Sequence, residues 1–291
     1  MHAAFRLLPV IAILLCFGPV VHRADAQTRE IYVSAVDNRG APVQDLAVGD
    51  VVVREDGVAR EVLSVRQAEA PLHIVLLVDD SQAARDATVR LREGLLAFLE
   101  RLRGRAAIAL MTIGDRPTLV EPFTTETAPI EKHVKSIFPR PSAGAYLLDA
   151  IVEASRALMK RDGDRRTIVA LTFEGVEYSN RQREFVLDEL ARSRAALHVI
   201  AIGTPSQSLS DEMRNRNMVI AEGTERTGGR RDQVLAESGI PDRLRQMADE
   251  LLHQYLVTYS TPDRLVPPER LSVSTSRAGV TLRAPTRLPA R

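Results

Sequence analysis

The sequence predicts an α/β fold: a doubly wound, mainly parallel sheet, with a small β-rich domain formed by the N- and C-terminal segments. Three observations carry that reading. "LHIVLLV" at 72–78 is a continuous apolar run, as a strand buried on both faces requires. Strand-like and helix-like segments then alternate to about residue 255, which implies right-handed crossovers and helices on both faces of the sheet. The flanks have a different texture, with short β-branched runs broken by turn residues. The expected boundaries are a signal peptide over 1–26, an N-terminal β segment over 27–69, an α/β domain over 70–255, and a C-terminal β segment over 256–291 that pairs with 27–69.

In chain order, residues 1–26 read as a secretory signal. Arg6 supplies a positive start, Leu7 to Val21 is apolar but interrupted by Pro9, Gly18 and Pro19, and Ala24 and Ala26 give the small-residue spacing a signal peptidase needs. Cleavage is expected after Ala26, although an uncleaved anchor is the competing reading. The run is short for a membrane span. Cys16, the one cysteine, lies inside this segment between Leu15 and Phe17, which does not suit a lipid attachment site. Without it the mature chain has no thiol, which excludes cysteine catalysis and cysteine-held metal. "IYVSAV" and "VVVRE", followed by "DNRGAP" and "EDG", then read as antiparallel strands and turns.

Past 72–78, "TVRLREGLLAFLERLRG" places Val89, Leu91, Leu95, Leu96, Leu99 and Leu102 near one helical stripe. "AAIALMTIG", "TIVALTF" and "ALHVIAIG" are the next buried strands, and "RPTLVEPFT" reads as an edge hairpin strand. "TAPIEKHVKSI", "AYLLDAIVEASRALMKR", "QREFVLDELARS" and "GIPDRLRQMADELLHQ" are helices, the last with Pro241 in its first turn. Residues 206–222 read as a short helix on a loop. "RTGGRR" reads as a turn into an edge strand, with Gly228 and Gly229 taking positive φ rather than cradling an anion. The tail from "YLVTYS" returns to β pieces. A two-strand piece is marginal alone, so the two ends of the chain are expected to pair.

Composition narrows the function classes. The 291 residues allow one to two domains, and a net charge of +1 offers no field for nucleic acid or an anionic membrane surface. Aromatic residues make up only 4% with no Trp, which argues against a stacking groove for bases or sugars.

The most informative stretch is "VLLVDDSQAARD", a buried strand that runs into two carboxylates and a serine. Receiver domains of response regulators open this way, but the region where they carry a phosphoacceptor Asp is "RPTLVEPFTTE", and "ALHVIAIGTP" lacks their late Lys-Pro. The order and spacing of "PLHIVLLVDDSQAARD", "AAIALMTIGDRPTLVEPFT", "GAYLLDAIVEA", "TIVALTFEGVEYS" and "ALHVIAIGT" instead resemble a von Willebrand factor type A (VWA) domain. With "VSAVDNRGAPVQDLAVGDVVVREDGVAREV" in front and "QYLVTYS" behind, residues 29–285 resemble a bacterial family of exported VWA-containing proteins.

That resemblance implies a Rossmann-like fold and a protein-binding role. In the family, the strand tops can form a metal-ion-dependent adhesion site. Two serines and an aspartate of Asp-x-Ser-x-Ser, a threonine and a second aspartate surround Mg2+ or Mn2+ there, with an open position for a partner's carboxylate. Asp79 and Ser81 match the pattern. Ala83, Ala145 and Phe173 stand where a serine, the threonine and the second aspartate would be, and Glu174 follows Phe173. The implied site is degenerate, with Asp79, Ser81 and Glu174 as its remaining donors. The site is expected to be vestigial and no cofactor is expected; the competing reading is Mg2+ or Mn2+ held weakly by those three.

Other chemistry is thinner. None of the histidines forms an H-x-H or H-x-x-x-H pair, and His73 and His198 on buried strands read as structural, with His133 and His253 at helix surfaces. "VDDSQ" is not the G-x-S-x-G of a serine hydrolase. The expectation is a non-enzymatic, exported module, periplasmic or extracellular, that binds a protein partner and no nucleic acid, with no membrane span in the mature chain. The alternatives are a scaffold subunit of an envelope assembly and, remotely, a hydrolase using Asp79 and Ser81.

Overall fold

The computed structural model describes residues 27–206, 210–262 and 268–288. The signal segment read at 1–26 lies outside the described residues. Four strands come first: β1 (Gln27–Asp37), β2 (Val52–Glu55), β3 (Val58–Arg60) and β4 (Val62–Gln67). Their turns follow the sequence. The Asp37 carboxylate accepts the N–H groups of Arg39 and Ala41, and Gly40 and Gly57 occupy the left-handed region at φ +80° and +83°.

The α/β unit follows, with β5 (Leu72–Val78), α1 (Thr88–Leu102), β6 (Ala106–Thr112) and β7 (Thr118–Thr124). Next come α2 (Thr127–Lys135), α3 (Leu147–Met159), β8 (Arg166–Phe173), α4 (Arg183–Ser193) and β9 (Ala196–Ile202). It closes with α5 (Asp211–Thr227), β10 (Arg231–Val234) and α6 (Ile240–Leu252). The sheet runs β10-β9-β8-β5-β6-β7, parallel throughout except for β7, the antiparallel edge. The chain enters at the centre and winds out in both directions, so connections diverge at the β5–β8 seam.

The apolar run of β5 is explained by two cores. Ile74, Leu76 and Val78 pack toward α1 and α6, while Val75 and Leu77 pack toward α3 and α4. On α1 the buried stripe is Leu91, Leu95, Phe98, Leu99 and Leu102. Val89, which the periodicity placed near that stripe, is exposed, and Phe98 takes the inward position. Gly94 brings α6 close. A Cβ there would lie 2.8 Å from Leu244 Cδ1 and 3.2 Å from the Pro241 Cα.

Two local readings are corrected. The segment expected as a short helix on a loop is the 17-residue α5, whose N-terminus is capped by the Ser210 hydroxyl accepting the Met213 N–H at 3.2 Å. Only Gly228 of the glycine pair takes positive φ, at +72°. Gly229 is required by proximity instead, because a Cβ there would stand 1.8 Å from the Leu197 carbonyl oxygen.

The chain finishes with β11 (Tyr255–Thr261), β12 (Leu271–Ser274) and β13 (Val280–Arg283). These join the first four strands in two antiparallel sheets, β13-β1-β11-β4 and β12-β2-β3. Their shared core holds Ile31, Val33, Val53, Val257 and Leu271. Polar links fix the arrangement. The Tyr255 hydroxyl donates to Val43 O at 2.8 Å and accepts from Leu46 N at 3.2 Å. The fully buried Glu55 carboxylate accepts from Arg29, Arg60, Tyr259 and Thr261 at 2.9–3.2 Å, so both ends of the chain meet on one side chain. Burial, reinforced by that carboxylate, pushes the Tyr259 hydroxyl to a pKa well above its usual value.

Candidate functional site

At the β5–β8 seam the strands' C-terminal ends open toward the loops after residues 79, 113 and 173, the position where doubly wound sheets place their sites. Asp79 is wholly buried there. Its Oδ1 accepts the Ser81 N–H at 2.9 Å, and its Oδ2 accepts the Phe173 N–H at 2.9 Å and the Thr172 hydroxyl at 3.3 Å. Burial pushes the Asp79 pKa up, while the Phe173 N–H, the Ser81 hydroxyl and the Ser81 N–H oppose that shift. Asp80, beside it, accepts the Gly114 N–H on Oδ1 at 2.7 Å and the Arg140 Nε–H on Oδ2 at 2.8 Å.

Glu174 does not join Asp79 and Ser81. Its carboxylate accepts from Arg216, a fully buried guanidinium from α5 that also donates to the Phe173 carbonyl at 3.2 Å. The structure therefore brings together two of the three expected donors, and the third is engaged with a resident cation. Arg216 went unnoticed in the sequence because the helix that delivers it was read as a loop with a short helix. Arg140 was hidden in the same way, inside the irregular segment between α2 and α3.

The positions without oxygens are filled by contact. A Cβ on Gly175 would lie 2.7 Å from the Ala83 methyl, so the loops after β5 and β8 touch where a third donor would stand. Ala145 bridges the same loop through its backbone, donating to Val176 O and accepting from Tyr178 N, both at 2.8 Å. Its neighbour Gly144 lies under the Tyr178 ring, 2.6 Å from where its Cβ would be. Gly114 leaves no room either, with Asp80 Oδ1 at 2.7 Å from a built Cβ.

A second buried acid, Glu177, sits at the start of α3. It accepts the Ser179 N–H at 3.2 Å and the Leu147 N–H at 3.4 Å. These long bonds do not offset dehydration, and burial pushes its pKa up to about 7. Sequence reading missed this residue, since an acid in a loop carries no signal of burial.

Residues 74–174 match the model of the von Willebrand factor type A domain. The chain carries a VWA domain. Solved structures agree at the level of fold. A VWA protein from Catenulispora acidiphila is 11% identical, with 91% of this chain and 75% of that one covered at a TM-score of 0.54. Proximal thread matrix protein 1 from the mussel byssus, with a zinc-occupied adhesion motif, is 15% identical over 68% of this chain and 49% of its own, at a TM-score of 0.51. The pilus adhesin SpaC from Lactobacillus rhamnosus GG is 11% identical over 78% of this chain and 45% of its own, at a TM-score of 0.50. No curated protein matches the chain.

The residues at the VWA strand tops do not fit a divalent ion. Mg2+ demands near-octahedral oxygen ligands and gives up water reluctantly. Here Asp79 is already filled by backbone donors, Glu174 is neutralised by Arg216, and Ala83, Ala145 and Phe173 offer no side-chain oxygen. Among the described residues no cluster of three or more His, Cys, Asp or Glu side chains could hold a metal.

A hydrolase arrangement is not assembled either. Ser81 lies against Asp79, but among the described residues no imidazole is hydrogen-bonded to it. His73 begins β5 at the far end of that strand, and His198 is enclosed in the middle of β9 with neither ring nitrogen hydrogen-bonded.

Proposed function

We propose that this chain is an exported, non-enzymatic binding module whose VWA strand-top face engages a protein partner without a divalent ion. One observation carries the reading. The two acids of the expected ion site, Asp79 and Glu174, and the neighbouring Asp80 are each engaged by an N–H group or a guanidinium of the same chain, so the face is complete without metal. The role of the ion, cancelling buried negative charge, falls to Arg216 and Arg140.

The same loops expose what an interface uses. Phe138, Val176, Tyr178 and Leu235 are each half or more exposed on the strand-top loops. The Arg92 guanidinium lies 4.3 Å over the Phe138 ring. Aromatic and arginine side chains are the residues that most often dominate binding energy at protein interfaces. No helix among the described residues is long and apolar enough to cross a membrane. Export rests on the leader-like residues 1–26, and placement in the periplasm or outside the cell follows from it.

Photo-crosslinking tests the proposal. A crosslinker placed at Phe138 is expected to capture a protein from extracts of cells that express the chain, equally well in EDTA and in Mg2+. The same group at Met159, exposed at the C-terminal end of α3 and so at the opposite end of the sheet, is expected to capture none. Capture that requires Mg2+, or equal capture from both positions, would contradict it.

A further inference from the structure

A cavity of about 390 Å³ opens at the opposite end of the α/β sheet, between the starts of β8 and β9 and the facing strands β1 and β11. Its wall carries Arg29, Arg165, Arg166 and Arg194 against Glu30 and Asp164. Both acids are exposed and already in ion pairs, Glu30 with Arg66 at 3.5 Å and Asp164 with Arg194 at 3.8 Å. Arg29 is paired with Glu55 at 3.2 Å.

Arg165 and Arg166 are different. Neither has a carboxylate within ion-pair distance among the described residues. Arg165, only 6% exposed, donates to the carbonyls of Ala68, Ala70 and Leu251 and to the Gln254 amide oxygen. Arg166 donates to the carbonyls of Ser193 and Arg161, and its buried Nε has no partner among the described residues. Neutral carbonyls satisfy N–H donors but leave the two charges uncancelled. For the buried Arg165, charge held out of water without a counter-ion is costly, whereas Arg166 is partly exposed at the cavity wall. The wall also holds Tyr32, whose hydroxyl takes no hydrogen bond among the described residues, and the apolar surfaces of Leu256, Pro285 and Leu288.

We propose that this cavity is a binding site for a small organic anion, a carboxylate or phosphate group carried on a short apolar body. The volume falls within the range of small-molecule sites, about 300–1,000 Å³. The anionic group would lie against Arg166 and Tyr32, and the body against Leu256 and Leu288. Tyr32 and Leu256 belong to the β-rich domain, whereas Arg166 and Arg194 belong to the α/β unit, so such a ligand bridges the two. The site is separate from the strand-top face and does not depend on its reading.

Calorimetric titration of the full chain at low ionic strength tests it, with hexanoate, citrate and inorganic phosphate as probes and sodium chloride as the control. Saturable binding of at least one probe is expected, with a raised Tm. Hexanoate or citrate alone would assign a carboxylate ligand, and phosphate would assign a phosphoryl ligand. Tyr32→Phe and Arg166→Gln, which change partly exposed side chains at the cavity wall, are each expected to weaken binding about tenfold, the loss of one charge-assisted hydrogen bond. The proposal is overturned if no probe gives saturable heat up to about 10 mM, where binding is worth less than about 3 kcal/mol. It is equally overturned if binding is untouched by both substitutions.

Discussion

At the residue scale, charge balance at the strand tops depends on a few buried groups, and Glu177 is the one that titrates. With its folded pKa raised to about 7 from 4.5, the native state holds a proton that the unfolded chain has released. Its contribution is therefore full below about pH 4.5 and is lost as pH rises through 7. The loss is about 3 kcal/mol. Urea unfolding of wild type and Glu177→Gln across pH 5–8 checks this: wild type should weaken relative to the variant as pH rises, and parallel curves would remove Glu177 from the account. Asp79 and Ser81 could be placed from the sequence because an apolar strand running into Asp-Asp-Ser is a strong local pattern. Glu177, Arg140 and Arg216 could not, because their importance comes from burial and partners thirty or more residues away.

At the element scale, periodicity carried most of the α/β unit. The strands were legible as uninterrupted apolar runs, and α1, α3 and α6 as helical stripes. The failures have physical reasons. α5 is polar along much of its length, with Asp211, Glu212, Arg214, Asn215 and Asn217 in its first two turns, so its pattern resembled a loop. Gly229 resembled a turn glycine, although what requires it is the approach of β9. Gly229→Ala is expected to cost about 3 kcal/mol or more, because its methyl meets backbone rather than a movable side chain. Thermal unfolding measures this, with Gly57→Ala as a comparison that meets only open space but carries the strain of φ +83°. A loss in Gly229→Ala no larger than that in Gly57→Ala would contradict the requirement for proximity at Gly229.

At the scale of the whole molecule, the pairing of both chain ends was legible from composition alone, since neither flank could bury a sheet by itself. The hub was not, as nothing marks Glu55 as the side chain on which β1, β2, β3 and β11 converge. Glu55→Ala leaves Arg29, Arg60 and Tyr259 without their acceptor and is expected to cost about 3–5 kcal/mol in chemical unfolding. A cost under 1 kcal/mol would contradict that role.

The molecule's pH profile combines two opposed slopes. His198, enclosed beside Glu250, Arg283 and Arg230, is pushed down to about 4 chiefly by burial, so its contribution is lost as pH falls from 6.5 toward 4. It opposes Glu177 over roughly pH 4.5–6.5, and above that range only the Glu177 slope of the two continues. His198→Leu is expected to flatten the acid side. At pH 7 it should cost nothing, because both ring nitrogens are buried and have no partner among the described residues. A stability loss at pH 7 would reveal a hydrogen bond to the ring.

The central claim is that the strand-top face works without a divalent ion because the chain's own donors occupy its acids. Calorimetric titration of the purified chain with Mg2+ and Mn2+, repeated on Asp79→Ala, tests it most directly. The account predicts no saturable heat and no shift in Tm from either ion. Saturable binding to the wild-type chain that disappears in Asp79→Ala would contradict it and would return Asp79, Ser81 and Glu174 to the role of metal ligands.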